Sequence, residues 1–178
     1  MSEKRVVLGG GCFWCSEAVF VNVKGVMSVV SSYAGGNRPN PNYEMICTGV
    51  SGYAEVIDIK YDAEIITLSE LLDIFFAVHN PTTLNQQGAD RGTQYRSVVY
   101  YESDAQKETI EDAIQRNQAS YEDKIVTEVS PLPEVVYPAE AYHQNYYALN
   151  SSQGYCQAVI APKVQKFMMN FTDKIATN

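Results

Sequence analysis

The chain has 178 residues, 46% apolar and 19% charged, with a net charge of −8 from 21 acidic and 13 basic side chains. That length can bury a sizeable core without metal or disulfide staples, no stretch approaches the roughly 20 apolar residues needed to span a bilayer, and the acidic balance argues against nucleic acid as a partner. Only Val6, Val7 and Leu8 precede the first glycines, too short an apolar run for a secretory leader, so one domain over residues 1–178, monomeric and cytoplasmic, is expected.

Arg5 to Leu8 reads as a short buried strand, after which Gly9-Gly10-Gly11 permits a tight turn and Glu17 to Phe20 continues as a helix ending by Gly25. Cys12 therefore lies at a strand-to-helix turn, where unpaired N–H groups and the helix dipole are expected to lower its pKa. Val26 to Tyr33 is a β-branched strand ending at Gly35-Gly36, and residues 35–52, rich in Gly, Pro and Asn, read as a structured loop without regular elements. Tyr43 and Cys47 lie in it, Cys47 as a buried structural thiol.

Residues 52–61 alternate as a strand, with Ala54 and Val56 on one face and Glu55, Ile57, Ile59 and Tyr61 on the other. A carboxylate in phase with a core face is the informative oddity, although a frayed, solvated strand end gives the same pattern. Leu68, Leu71, Leu72, Phe75, Phe76 and His79 recur at helical spacing behind a Thr67 cap, with His79 read as a satisfied core histidine. Residues 80–95 form a second long polar loop holding Asp90 and Tyr95, a feature that tends to be functional.

Arg96 to Tyr101 is a strand, and Ser103 opens a helix with a capping-box pattern running towards Tyr121. Val126 to Tyr137, broken by Pro131 and Pro133, suits an edge strand. Ala139 to Leu149 reads as a short helix carrying His143, and Gly154-Tyr155-Cys156 as a turn before a last helix from about Pro162. The order β-α-β-β-α-β predicts an α+β two-layer ferredoxin-like sandwich, its sheet antiparallel or mixed, with helices on one face and long loops at the sheet ends.

The four cysteines, Cys12, Cys15, Cys47 and Cys156, fit redox, catalytic or buried roles in a reducing compartment better than a disulfide framework. Cys12 and Cys15 form a C-x-x-C pair, which serves thiol redox chemistry or half a zinc site. The other two zinc ligands are missing at any matching spacing, so no metal is expected. The triple glycine lacks the Gly-Lys-Ser/Thr ending of a phosphate loop.

Gly11-Cys12-Phe13-Trp14, Asn40-Pro41-Asn42-Tyr43, Gly52-x-Ala54-Glu55, Gln87 to Ser97, His143-Gln144-x-x-Tyr147 and Gly154-Tyr155-Cys156 together resemble the peptide methionine sulfoxide reductase A family over nearly the whole chain. The resemblance implies thiol-dependent reduction of the S epimer of methionine sulfoxide, free or in proteins, with thioredoxin as reductant and no bound cofactor. A sulfoxide is a poor electrophile until its oxygen is protonated, so the chemistry wants a thiolate aimed at sulfur and an acid aimed at oxygen. By resemblance Cys12 is the nucleophile, Glu55 the acid, Tyr43 and Tyr95 the phenol donors to oxygen, Phe13 and Trp14 the wall around the ε-methyl, and Asp90 the residue that orients the substrate backbone.

The resulting sulfenic acid needs a second thiol to form a disulfide that thioredoxin can open. Many relatives carry glycine where this chain has Cys15, which leaves Cys156 and Cys15 as resolving candidates. Cys156 is preferred because a mobile loop in the segment from about residue 150 can carry it to Cys12, whereas a bond to Cys15 competes with the helix start. Tyr53 and Asn80 also depart from the family pattern without touching a proposed catalytic group. The competing readings are a thioredoxin-like dithiol oxidoreductase built on Cys12 and Cys15, and a non-enzymatic module binding a ligand or metal.

Overall fold

The β-branched run that starts the chain, β1 (Glu3–Gly9), lies in the interior of a six-stranded sheet. The elements after it, in a computed structural model describing residues 2–176, are α1 (Phe13–Phe20), β2 (Val26–Ala34), α2 (Tyr43–Cys47), β3 (Ala54–Asp62) and α3 (Leu68–Val78). Then come a two-strand hairpin, β4 (Gln86–Gln87) and β5 (Asp90–Arg91), β6 (Val98–Tyr101), α4 (Asp104–Gln118), β7 (Glu128–Pro131), β8 (Tyr137–Pro138), α5 (Tyr146–Asn150) and α6 (Ala161–Asn170). The sheet order is β7-β6-β1-β3-β2-β8, and its four central strands pair antiparallel, as the α+β ferredoxin-like reading predicts. Only β6 and β7 pair parallel among the described strands.

The alternation in β3 sorts its side chains onto two faces. Ile57, Ile59 and Tyr61 join the main core beneath α1, α3, α4 and α6, while Ala54 and Val56 join a smaller cluster with Val7, Val98 and Tyr100 on the opposite face. Thr67 caps α3 through a reciprocal bond pair with Glu70, which satisfies two N–H groups at the helix start. At the far end of α3, His79 is buried between the Phe75 carbonyl at Nδ1 and the Ser97 hydroxyl, 2.8 Å from Nε2, and burial lowers its pKa to about 3. It is the core histidine that its spacing predicted. Among the described residues no helix is long and apolar enough to cross a membrane.

Several boundaries differ from the sequence reading. The 35–52 loop holds the short helix α2, capped by Asn42 accepting from the Met45 N–H at 2.8 Å. The 80–95 loop folds into the β4–β5 hairpin and a 3₁₀ turn at Thr93–Tyr95. The expected edge strand over 126–137 is two strands at opposite edges: β7 extends β6 and β8 extends β2, while Leu132 and Val136 between them pack on the smaller cluster. Pro131 and Pro133 keep this connection extended. The capping box expected at Ser103 is incomplete, since Gln106 accepts from the Glu102 N–H instead.

The segment from Ala139 divides into a 3₁₀ turn (Ala141–His143) and α5, separated by Asn145 at φ 54°. Helix resumes at Gly154, well before Pro162, and Cys156–Ile160 forms a π-helical turn leading into α6. The expectation of a loop around Cys156 is corrected accordingly: this thiol is fully buried and takes part in the main core.

Candidate active site

Gly11 has φ +89°, and a Cβ there would lie 2.7 Å from the Gln87 side chain, so the turn and the hairpin close on each other only with glycine at this position. Gln87 is held in turn by both backbone polar groups of Asn80. The chain leaves this turn at Cys12, the N-cap of α1, whose carbonyl accepts the Cys15 N–H at 3.1 Å. Cys12 offers no side-chain cap. The free N–H of Phe13 is satisfied instead by Glu55 Oε1 at 3.2 Å, from the start of β3.

Glu55 is only 2% exposed, so the solvated strand end is excluded. Burial raises its pKa to about 8 against the opposing hydrogen bonds from Phe13 N–H and Cys12, with the charges of Asp90 and Cys15 adding to the rise. A neutral carboxylic acid therefore faces the thiol at pH 7.

Cys12, Phe13, Trp14, Tyr43, Glu55, Asp90 and Tyr95 line a single cavity of about 120 Å³, together with Tyr155. Six separate segments supply them. The β4–β5 hairpin brings Asp90, the 3₁₀ turn brings Tyr95, and Tyr43 starts α2, its N–H donating to Glu140 Oε2 at 3.0 Å. Burial pushes the Tyr43 and Tyr95 phenols well above their ordinary range, which keeps both as hydrogen-bond donors. Tyr155 donates to Asp90 Oδ2 at 2.9 Å and its oxygen lies 4.0 Å from Cys15 Sγ.

The aromatic wall is braced from behind. Trp14 stacks on Tyr146 with ring centroids 3.7 Å apart and planes 5° from parallel, and its indole N–H donates to His143 Nδ1 at 3.0 Å. Buried Glu17 accepts the N–H groups of Asn145 and Tyr146 at 3.1 and 3.3 Å, which fastens the 145–146 backbone to α1. Phe13 is fully buried against Tyr33 and His143.

The thiols behave differently from the sequence expectation. Cys12 and Cys15 interact directly, and contact with Cys15, burial and the Glu55 charge push the Cys12 thiol well above its ordinary value, overriding the helix start. Cys15 is lowered to about 7 by the Cys12 thiol, Lys163 and Tyr155, against its own burial. The surroundings thus favour the proton on Cys12 over Cys15, and the two thiols titrate as a pair rather than singly. Cys47 is exposed rather than buried, because α2 turns it away from the core to the neighbourhood of the Tyr43 hydroxyl.

Tyr155, Tyr146, Glu17 and His143 carry the site in ways that periodicity did not reveal. The family-like strings around His143 and Gly154-Tyr155 were the only signal for the C-terminal group, and nothing local distinguished Glu17 from a surface carboxylate.

The comparisons with known proteins agree with this geometry. The family model for peptide methionine sulfoxide reductase matches residues 4–175. The chain is 53% identical over 175 residues to the peptide methionine sulfoxide reductase MsrA of Polynucleobacter asymbioticus, covering 97% of this chain and 92% of that protein. The reduced form of Mxr1 from Saccharomyces cerevisiae superposes with a TM-score of 0.80 at 34% identity, covering 87% of this chain and 90% of that one. Mxr1 in complex with Trx2 superposes with a TM-score of 0.57 at 26% identity, covering 82% of this chain and 85% of that one.

Proposed function

Because the chain belongs to the peptide methionine sulfoxide reductase family, we propose that its cavity reduces methionine S-sulfoxide, free or in proteins, to methionine by thiol chemistry, with thioredoxin as the final reductant. The carrying observation is the pairing of a protonated, buried Glu55 with Cys12 on the floor of an aromatic cavity. The yeast relative's complex with Trx2 supports the reductant.

In this reading the sulfoxide methyl lies against Phe13 and Trp14, and the oxygen faces Glu55, Tyr43 and Tyr95. Cys12 Sγ attacks the substrate sulfur while its proton passes to the adjacent Cys15 thiolate. Glu55 gives its proton to the oxygen, turning a poor electrophile into one whose S–O bond can break. The protonated oxygen passes from the substrate sulfur to Cys12 Sγ as the S–O bond breaks, the temporary bond between the two sulfurs breaks with its electron pair on the substrate sulfur, and methionine leaves with Cys12 as a sulfenic acid. Asp90, held by Tyr155, takes the substrate's backbone. Resolution by Cys15 or Cys156 gives the disulfide that thioredoxin opens.

Every group named comes from one chain, so a monomer suffices as one catalytic unit, and the four free cysteines suit a reducing setting such as the cytoplasm. The test is to incubate the protein with the separated S and R epimers and a thiol donor, then measure methionine. The expected result is methionine from the S epimer alone. Disulfide reduction without turnover of either epimer would favour the dithiol oxidoreductase reading instead.

A further inference from the structure

The C-x-x-C pair, read with the burial of the other candidate, bears on which thiol completes the cycle. The Cys15 N–H donates to the Cys12 carbonyl at 3.1 Å, so both thiols leave the first turn of α1, where Cα atoms three residues apart lie about 5–6 Å from each other, inside the range a disulfide accepts. Cys156 is fully buried in a π-helical turn, and Ile160 and Phe167 of the same helical run are fixed in the main core. Its neighbour Tyr155 lines the substrate cavity and is tied to Asp90 at 2.9 Å, so a movement of this turn towards Cys12 also disturbs the wall of that cavity.

On the side of α1 away from the substrate cavity, Cys15 and Lys163 line a second, narrow cavity with Gly10, Phe75 and His79. Lys163 forms no ion pair among the described residues. Its charge acts on Cys15 against the opposing charge of Asp90.

Building on the sulfoxide reductase reading, we propose that Cys15 is the thiol that resolves the Cys12 sulfenic acid, with Lys163 as the positioning cation behind it. In this step Cys15 Sγ attacks Cys12 Sγ, an S–S bond forms and the S–O bond breaks. The proton given up by the Cys15 thiol ends on the departing hydroxyl, which leaves as water. Cys15 is oxidised from thiol to disulfide as Cys12 is reduced from sulfenic acid to the same disulfide, so no outside reductant is needed until thioredoxin arrives. Resolution then proceeds with the 154–160 turn and the substrate cavity intact.

The experiment is a rapid acid quench of wild-type protein mixed with one equivalent of methionine S-sulfoxide, measuring methionine and mapping disulfides by peptide mass spectrometry at each time. The expected first disulfide joins Cys12 to Cys15. A first disulfide that joins Cys12 to Cys156, with methionine formed, overturns the assignment while leaving the reductase reading standing. Absence of methionine at every time overturns the reductase reading itself. In Cys15→Ser methionine formation should slow, because the acceptor of the Cys12 proton is lost, and the Cys12 sulfenic acid that does form should accumulate, whereas a Cys12–Cys156 disulfide that forms as fast as methionine contradicts the proposal. Lys163→Gln should slow disulfide formation about fivefold by reducing the thiolate fraction, and Lys163→Arg should restore it. An unchanged rate in the glutamine variant removes Lys163 from the account.

Discussion

Glu55 Oε1 accepts the backbone N–H of Phe13 at 3.2 Å, so the carboxyl group proposed as the acid also closes the start of the helix that Cys12 caps. One contact thus sets the distance between acid and nucleophile. Glu55→Gln keeps an oxygen for the Phe13 N–H but has no acidic proton for the substrate. It is expected to cut the single-turnover rate of methionine formation by on the order of 10²–10⁴-fold with little change in denaturation midpoint. A variant with near-full rate would move the acid role to Tyr43 or Tyr95.

The same groups set the pH dependence. Glu55 works in its protonated form, so the rate should fall as pH rises through about 8. The thiol pair must have lost one proton, so the rate should rise as pH rises through about 7. The product is a bell-shaped profile whose two limbs belong to coupled groups rather than to isolated residues. Single-turnover rates across the neutral and alkaline range check it, and in Glu55→Gln the falling limb should vanish.

His143 acts on the substrate wall through Trp14. Its Nδ1 accepts the indole N–H at 3.0 Å, while its Nε2 is buried with no partner among the described residues, and burial lowers the pKa of the ring against the charge of Glu140. His143→Ala should loosen the Trp14 orientation and lower kcat/KM by a few-fold to about tenfold, the range of one net hydrogen bond. Trp14, the only tryptophan, reports the change directly through its fluorescence. An unaltered spectrum and unaltered kinetics would show that stacking on Tyr146 is sufficient.

Glu17 has a structural task. Glu17→Ala deprives the Asn145 and Tyr146 N–H groups of their acceptor and should cost about 1–3 kcal/mol in urea denaturation, with faster hydrogen exchange over the segment from 145 onward. Equal stability of the variant would mean that water replaces the carboxylate at no cost.

Features written in local sequence were legible. The alternation that turned Glu55 inward, the Thr67–Glu70 capping box and the glycine turn before Cys12 each depend on neighbours a few residues apart, and each is present in the structure. Features set by distant contacts were not legible. The β4–β5 hairpin is only two residues per strand, too short for a period to emerge, and it is held against the Gly11 turn by Gln87. The π-helical turn around Cys156 has no residue signature apart from a glycine that reads equally as a loop, and its burial depends on α1 and α6 packing over it. The upward shift of the Cys12 thiol was only half legible: its partner Cys15 is three residues away, whereas burial and the Glu55 charge arrive from elsewhere in the fold.

The central claim is that Cys12 takes the oxygen from the sulfoxide. The most direct measurement compares wild type and Cys12→Ser in a single turnover with methionine S-sulfoxide in the absence of any reductant, counting methionine formed per protein. The account predicts at least one equivalent of methionine from wild type and none from Cys12→Ser. A full equivalent from Cys12→Ser would contradict it.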